Sequence, residues 1–319
     1  MKTGGINSLI KAAFEKRIKL FSDPETDCFR IFNSSGDGLE GFTADWYSGY
    51  ILVQYFRGSV EAGIAAILDQ VKSCSGGLPA TVKGILVKNR MAMPESEGTE
   101  KWKSRLLHGS YPEEGIIVRQ NGIMMNADLV NGQNTGIFLD MRGIRTELAG
   151  FYKREKPVSM LNLFCYTGAF SVHALRSGVQ RAVNVDLSKS VLNKARDNYR
   201  LNGLGVDERD FIYGDSYERV KIFAKKNIHF DYAVFDPPTF SRNRGKNFSV
   251  RQDYTAFLEL LGTVVPGGFI FTSINAAAVS KSDYLSFHPG RWELVMFANE
   301  SSDFIHRGNP YLKAGLWKI

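Results

Sequence analysis

The stretch Leu161-Asn162-Leu163-Phe164-Cys165-Tyr166-Thr167-Gly168-Ala169-Phe170 reads as a buried strand running through a glycine-bearing turn into a helix. Such a unit lets a ligand approach bare backbone at the carboxyl end of the strand. Outward from it, short apolar runs alternate with helical periodicity. Strands are predicted at 160–164, 182–185, 211–213, 232–235 and 268–273, and helices at 170–176, 190–201, 216–226 and 251–261. This alternation predicts a parallel, doubly wound α/β sheet. A further helical pattern covers 138–151. Downstream, His288-Pro289-Gly290 breaks the alternation. There 292–297 and 312–317 read as an antiparallel pair at the sheet edge, turning at Gly308-Asn309-Pro310.

The pattern changes upstream of Gly132. Residues 6–21 read as an amphipathic helix, 59–74 as a second helix, and 28–32, 41–46, 50–56 and 82–88 as strands. Residues 94–109 are polar and read as an exposed loop. Asn121-Gly122 between 116–119 and 123–126 is the strongest short hairpin signal, since both turn residues tolerate positive φ. Two domains follow: a mixed α+β unit over 1–130 and an α/β unit over 131–319.

With 44% hydrophobic and 23% charged residues, the 319-residue chain can bury sizeable cores. It contains no apolar run long enough for a membrane span, and Met1-Lys2-Thr3-Gly4-Gly5 is no secretory leader. Three cysteines without a C-x-x-C pair suit a reducing cytoplasm, and five histidines without ligand spacing indicate no metal. The formal charge of +7 and pI near 9.2 modestly favour a polyanionic partner.

Chemistry concentrates at the strand ends. Asp186, followed by Leu187, closes the second strand, where a carboxylate can accept both hydroxyls of a ribose. Asp215-Ser216 follows the third, placed to bind the exocyclic amine of an adenine. Asp236-Pro237-Pro238-Thr239-Phe240 closes the fourth. Phe164, Tyr166, Thr167, Gly168 and Ala169 form the turn after the first. With one glycine, that turn offers a pyrophosphate too little bare backbone, which argues against a dinucleotide dehydrogenase. S-adenosylmethionine (SAM) has no phosphate and tolerates the bulkier turn. Arg242, Arg244, Lys246 and Arg251 leave the fourth strand directly and are candidates for RNA phosphate contact, against the alternative of a solvated loop.

Three segments resemble the SAM-dependent methyltransferases of bacterial 23S ribosomal RNA, a family of cytosine-C5 and guanine-N7 enzymes. They are Asn162 to Gly168, Asp236-Pro237-Pro238-Thr239-Phe240-Ser241, and Gly132-Gln133-Asn134-Thr135-Gly136-Ile137-Phe138-Leu139-Asp140-Met141-Arg142. The likeness covers about residues 28 to 319. It implies a class I SAM methyltransferase fold, Rossmann-like with a mostly parallel seven-stranded sheet, preceded by a smaller α+β domain that handles RNA. It also implies that Arg142 pairs with the SAM carboxylate, while Thr135, Phe138 and Asp140 shape the methionine end. Catalysis is expected from Asp236, Pro237 and Phe240, and Asp236 is expected to touch the cofactor as well.

Cytosine-specific members carry a nucleophilic cysteine after the fifth strand, where this chain has Phe271-Thr272-Ser273-Ile274-Asn275. The Asp-Pro-Pro-Thr-Phe-Ser and Ser-x-Asn motifs look like the guanine-N7 domain, although Ala276-Ala277-Ala278 replaces that domain's basic residues. Cytosine-C5 methylation and a catalytically silent RNA assembly factor stay open, as does the oligomeric state, monomer or homodimer.

Overall fold

The computed structural model describes residues 3–61, 63–91, 103–238, 242–243, 246–247 and 252–319. Two compact units emerge: Met1–Arg142 with Ser301–Gly308, and Gly143–Glu300 with Asn309–Ile319. The first unit thus runs past residue 130 and takes in a short segment from near the carboxyl terminus. Among the described residues no helix is long and apolar enough to cross a membrane.

In the first unit, helix α1 (Thr3–Lys16) leads into β1 (Cys28–Asn33), β2 (Phe42–Tyr47) and β3 (Tyr50–Tyr55). Next come α2 (Gly58–Glu61), α3 (Ile64–Ser75), β4 (Gly84–Asn89), β5 (Arg105–Gly109), and the hairpin β6 (Ile116–Gln120) and β7 (Ile123–Ala127). Strands β1 to β5 form one sheet in chain order. Only β3 and β4 run parallel, because a helical crossover, not a hairpin, joins them. A bulge between Arg30 and Phe32 breaks the alternation of β1, so Ile31 and Phe32 are both buried. The core gathers Ile10, Phe14, Phe29, Trp46 and Ile51, with Phe21 packed edge-on to Phe29 and Trp46. At the β6–β7 turn Asn121 and Gly122 have φ of 53° and 75°, as the sequence predicts.

Several local expectations change. The helix expected over 6–21 ends at Lys16 and gives way to a 3-10 turn, Ile18–Ser22. The one expected over 59–74 is split, with α3 restarting after Gly63. Within the expected loop 94–109, Arg105–Gly109 is an edge strand whose five residues are all exposed. It pairs with β4 at the sheet edge with its side chains exposed, so no apolar alternation marks it.

Residues 301–308 contribute Asp303, which accepts from the backbone N–H of Arg30 (2.8 Å) and from Nη2 of Arg142 (2.7 Å). Arg17, buried, donates to the Asp303 carbonyl at 2.7 Å and to both oxygens of Asp37. Buried charges persist only with such partners. At Gly36 a Cβ would lie 1.7 Å from the carbonyl oxygen of Ile305, so only glycine admits the approach.

The second unit comprises α4 (Arg142–Glu155), β8 (Ser159–Leu163), α5 (Ala169–Arg176), β9 (Arg181–Asp186), α6 (Lys189–Leu201), β10 (Phe211–Tyr213) and α7 (Ser216–Lys225). It continues with β11 (Tyr232–Phe235), the short pair β12 (Arg242–Asn243) and β13 (Lys246–Asn247), α8 (Gln252–Thr263), β14 (Phe269–Asn275), α9 (Lys281–Ser286), β15 (Glu293–Ala298) and β16 (Leu312–Lys318). Seven strands form the sheet, in the order β10-β9-β8-β11-β14-β16-β15. The first five are mutually parallel, whereas β16 is antiparallel to both its neighbours. This is the mostly parallel seven-stranded sheet that the resemblance implies.

The chain winds outward from β8 to β10, then returns to β11 on the other side of β8. The carboxyl ends of β8 and β11 therefore flank the switch point, where a doubly wound sheet holds its ligand. Strands covered on both faces read as continuous apolar runs, and Leu161, Leu163, Val183, Val185, Ala233, Phe235 and Ile270 supply the core. The expected tight turn at Gly308-Asn309-Pro310 is instead part of a long β15–β16 connection, because residues 301–308 fill the first unit.

Candidate active site

The turn after β8 is held in an unusual backbone state. Phe164, Tyr166 and Gly168 have φ of 54°, 50° and 78°, the left-handed region that costs a non-glycine residue about 1 kcal/mol. Hydrogen bonds impose it. Cys165 N–H donates to the Val185 carbonyl (3.1 Å), Gly168 N–H to the Cys165 carbonyl (2.9 Å), and Tyr166 N–H to Oδ2 of Asp186 (3.0 Å). A side chain at Gly168 would press on Ala195 at 3.1 Å besides adopting a strained φ.

Beneath the turn runs a buried polar chain. Asn162 donates to Ser171 Oγ (2.8 Å), Ser171 to Asn184 Oδ1 (2.7 Å), and Asn184 to the Tyr199 hydroxyl (2.8 Å). Asn198 donates to the Thr167 carbonyl at 2.9 Å. Asn184 and Asn198 lie outside the motifs. Their signal is a polar residue in the middle of an otherwise apolar strand or helix face.

Asp186 stands at the tip of β9. Its Oδ1 accepts from the Ser188 N–H at 2.9 Å and its Oδ2 from Tyr166. Burial pushes its carboxyl up, while the N–H groups of Ser188, Tyr166 and Leu187 pull it back. A carboxylate has about four lone-pair sites, so a diol can share this one with the backbone. Beside it Leu187 is apolar yet 46% exposed, a surface suited to a flat base. Asp215 caps α7, its Oδ1 accepting from Glu218 N–H at 2.9 Å, and Ser216 is buried. The residues fit a nucleoside: an acceptor for the sugar hydroxyls, an exposed apolar face beside it, and a turn whose single glycine offers a diphosphate little bare backbone.

Asp236 extends β11 and accepts from the buried Ser273 hydroxyl of neighbouring β14. Pro237 is buried and Pro238 exposed. Phe240, Arg244 and Arg251 lie outside the described residues, and the backbones of Arg242 and Lys246 belong to the β12–β13 pair. Phe257 of α8 packs on Phe235 of β11 (4.6 Å between ring centres) and on Tyr217 of α7 (5.2 Å). Cys165 is buried, and burial together with the Asp186 charge pushes its thiol well up, away from a nucleophilic thiolate.

The residues expected at the methionine end belong to the first unit. Thr135 is buried and shares a hydrogen bond with the Tyr47 hydroxyl (3.1 Å). Phe138 is 42% exposed. The Asp140 carbonyl accepts from the N–H and hydroxyl of Ser301, and Arg142 pairs with Asp303. Lys88, buried, donates to the Gly132 carbonyl at 3.0 Å, and burial lowers its ammonium to about 8.

A second polar cluster centres on Thr272 of β14. His288 Nδ1 lies 2.9 Å from the Tyr284 carbonyl, to which it can only donate. Its Nε2 therefore accepts from the Thr272 hydroxyl at 2.9 Å, and its ring stacks on Trp317 at 3.9 Å. Burial lowers this imidazole to about 4. With the folded value below the unfolded 6.5, the unfolded chain takes up the proton first as pH falls. Stability from His288 is thus complete above pH 6.5 and is lost down to about 4. Between pH 7 and 4 the wild type should lose about 2–3 kcal/mol more than His288→Gln. Parallel urea titrations check it; equal losses would remove His288 from the acid response.

The profile of the S-adenosylmethionine-dependent methyltransferase family matches residues 29–296. The "Putative ribosomal RNA large subunit methyltransferase YwbD" of Bacillus subtilis is 34% identical over 283 residues, 88% of this chain and 69% of that protein. The ribosomal RNA large subunit methyltransferase I of Aeromonas salmonicida is 29% identical over 268 residues, 82% of this chain and 64% of that protein. The chain spans about two thirds of the length of such relatives. Among solved structures, "SMU.776, a putative methyltransferase complexed with SAH" superposes with a TM-score of 0.89 at 26% identity, covering all of this chain and 82% of that one.

Proposed function

The chain belongs to the S-adenosylmethionine-dependent methyltransferase family, and from that premise we propose that it methylates large-subunit ribosomal RNA at guanine N7. The names of its relatives support the RNA class, and the charge of +7 suits such a polyanion. One observation carries the choice of atom. At the end of β14, where attack on cytosine carbon 5 would need a thiolate, stands Ser273, already engaged with Asp236. The buried thiol of Cys165 is a poor substitute. Guanine N7 carries its own lone pair and needs neither nucleophile nor general base.

When bound, SAM supplies an already activated methyl group. The protein's task is then alignment. Asp186 takes the ribose hydroxyls, with Leu187 along the base and Asp215 toward its amine. The turn from Phe164 to Ala169 and Ser216 completes the nucleoside site. By the resemblance, Arg142 pairs with the cofactor carboxylate, and Thr135, Phe138 and Asp140 serve the same end. Asp236 with Pro237 holds the flipped guanine by hydrogen bonds, and Phe240 stacks on it. Arg242, Arg244, Lys246 and Arg251 meet phosphates, so affinity should fall steeply with salt.

The test is to incubate enzyme, labelled SAM and undermodified large-subunit RNA, then reduce with borohydride and treat with aniline. Strand scission at one guanosine is expected, because N7 methylation leaves that ring labile. Label in 5-methylcytidine without scission would replace guanine N7 by cytosine carbon 5 and leave the family assignment intact.

A further inference from the structure

We propose that Ser273 is a positioning residue that fixes the rotation of the Asp236 carboxylate for the methyl acceptor. The inference rests on the reading of Asp236 as the group that holds the target base. Asp236 follows the last residue of β11, where strand pairing no longer constrains the chain, and its side chain is partly open to solvent. A carboxylate there has several rotamers open to it. Ser273 selects among them. Its hydroxyl is fully buried and donates to Oδ1, so the carboxylate plane is set by a neighbouring strand and Oδ2 takes a defined direction.

The donor is itself held on all sides. Strand β14 pairs with β11 on one edge up to Phe235↔Thr272, and with β16 on the other, where Ser273 stands opposite Ala314. The Tyr254 hydroxyl donates to the Ser273 carbonyl at 3.4 Å. One residue earlier, Thr272 is tied down twice more. Its carbonyl accepts from Tyr284 (3.0 Å) and its hydroxyl from Trp317 Nε1 (3.1 Å). A serine paired between two strands, held by Tyr254 and following a residue held by Tyr284 and Trp317, is a rigid support for one carboxylate oxygen. A buried hydroxyl at this position also needs a partner, and Asp236 is the one it has chosen over backbone.

Because Asp236 acts on the aligned base, loss of its orientation should lower turnover and leave cofactor binding alone. Two variants test this: Ser273→Ala, which removes the donor, and Ser273→Cys, which keeps side-chain volume with a weaker donor. For total methyl transfer to RNA, whatever the product, kcat should fall about tenfold in Ser273→Ala and less in Ser273→Cys. KM for SAM and the calorimetric affinity for S-adenosylhomocysteine should stay within about twofold of wild type. Unchanged kcat, or a loss that tracks weakened cofactor binding, would overturn the proposal.

Crystal structures of wild type and Ser273→Ala give a readout independent of activity. Asp236 should occupy one rotamer on Ser273 in the first and a different or mixed set in the second. One unchanged rotamer in both would also overturn it. If wild type labels a base other than guanine, or no RNA at all, the substrate reading fails while the rotamer comparison still decides the role of Ser273. Should Ser273→Ala not fold, Ser273→Cys carries both measurements.

Discussion

Asp186→Ala should abolish cofactor binding to the level of about a hundredfold loss in affinity, measured as S-adenosylhomocysteine titrated by calorimetry. The carboxylate is half buried, and backbone N–H groups already point at it, those of Ser188 and Tyr166 among them. Alanine removes the acceptors for both ribose hydroxyls and leaves those donors facing a cavity. A bidentate, partly buried, charge-assisted contact of this kind is worth about 2–3 kcal/mol. The effect extends to the turn, because Tyr166 holds a φ of 50° and its N–H is bonded to this side chain. Tight binding by the variant would place the ribose elsewhere. Binding of NADH by wild type without SAM would contradict the family assignment.

Asp236→Ala should show the opposite division. Methyl transfer to RNA should fall about a hundredfold or more, with affinity for S-adenosylhomocysteine within a few-fold of wild type. The residue stands at the end of β11, one strand from β8 and two from β9, whose tip carries Asp186. It is tied to Ser273 of β14. Loss of the aligning hydrogen bonds removes a contact that matters most in the reacting pose, so it appears in kcat. Single-turnover transfer at saturating SAM is the measurement. A variant that transfers methyl at the wild-type rate would remove Asp236 from the chemistry and, with it, the reason for Ser273.

Much of the α/β unit is legible in sequence because its strands are covered on both faces and therefore run largely apolar, as in Tyr232 to Phe235. Acids directly after such runs, Asp186 and Asp236, are conspicuous for the same reason. The Asn121-Gly122 hairpin is equally local, since the backbone requirement and the residues that meet it share two positions. Edge strand β5 carries no such mark, because its pairing uses backbone groups that every residue possesses.

By itself, then, the sequence determined the order of strands and helices in the α/β unit, the turn from Phe164 to Gly168, and the acids at the strand tips. Each is written in hydrophobic period or in residues a few positions apart. The tertiary structure decided what depends on distant partners. It brought Ser273 to Asp236 between neighbouring strands, and it linked Asn162, Ser171, Asn184 and Tyr199 under the turn. It also drew residues 301–308 into the first unit, where Asp303 meets Arg30 and Arg142. Periodicity reports which face of an element is buried. A buried hydrogen bond is fixed by which element packs against that face, and only the folded chain supplies that.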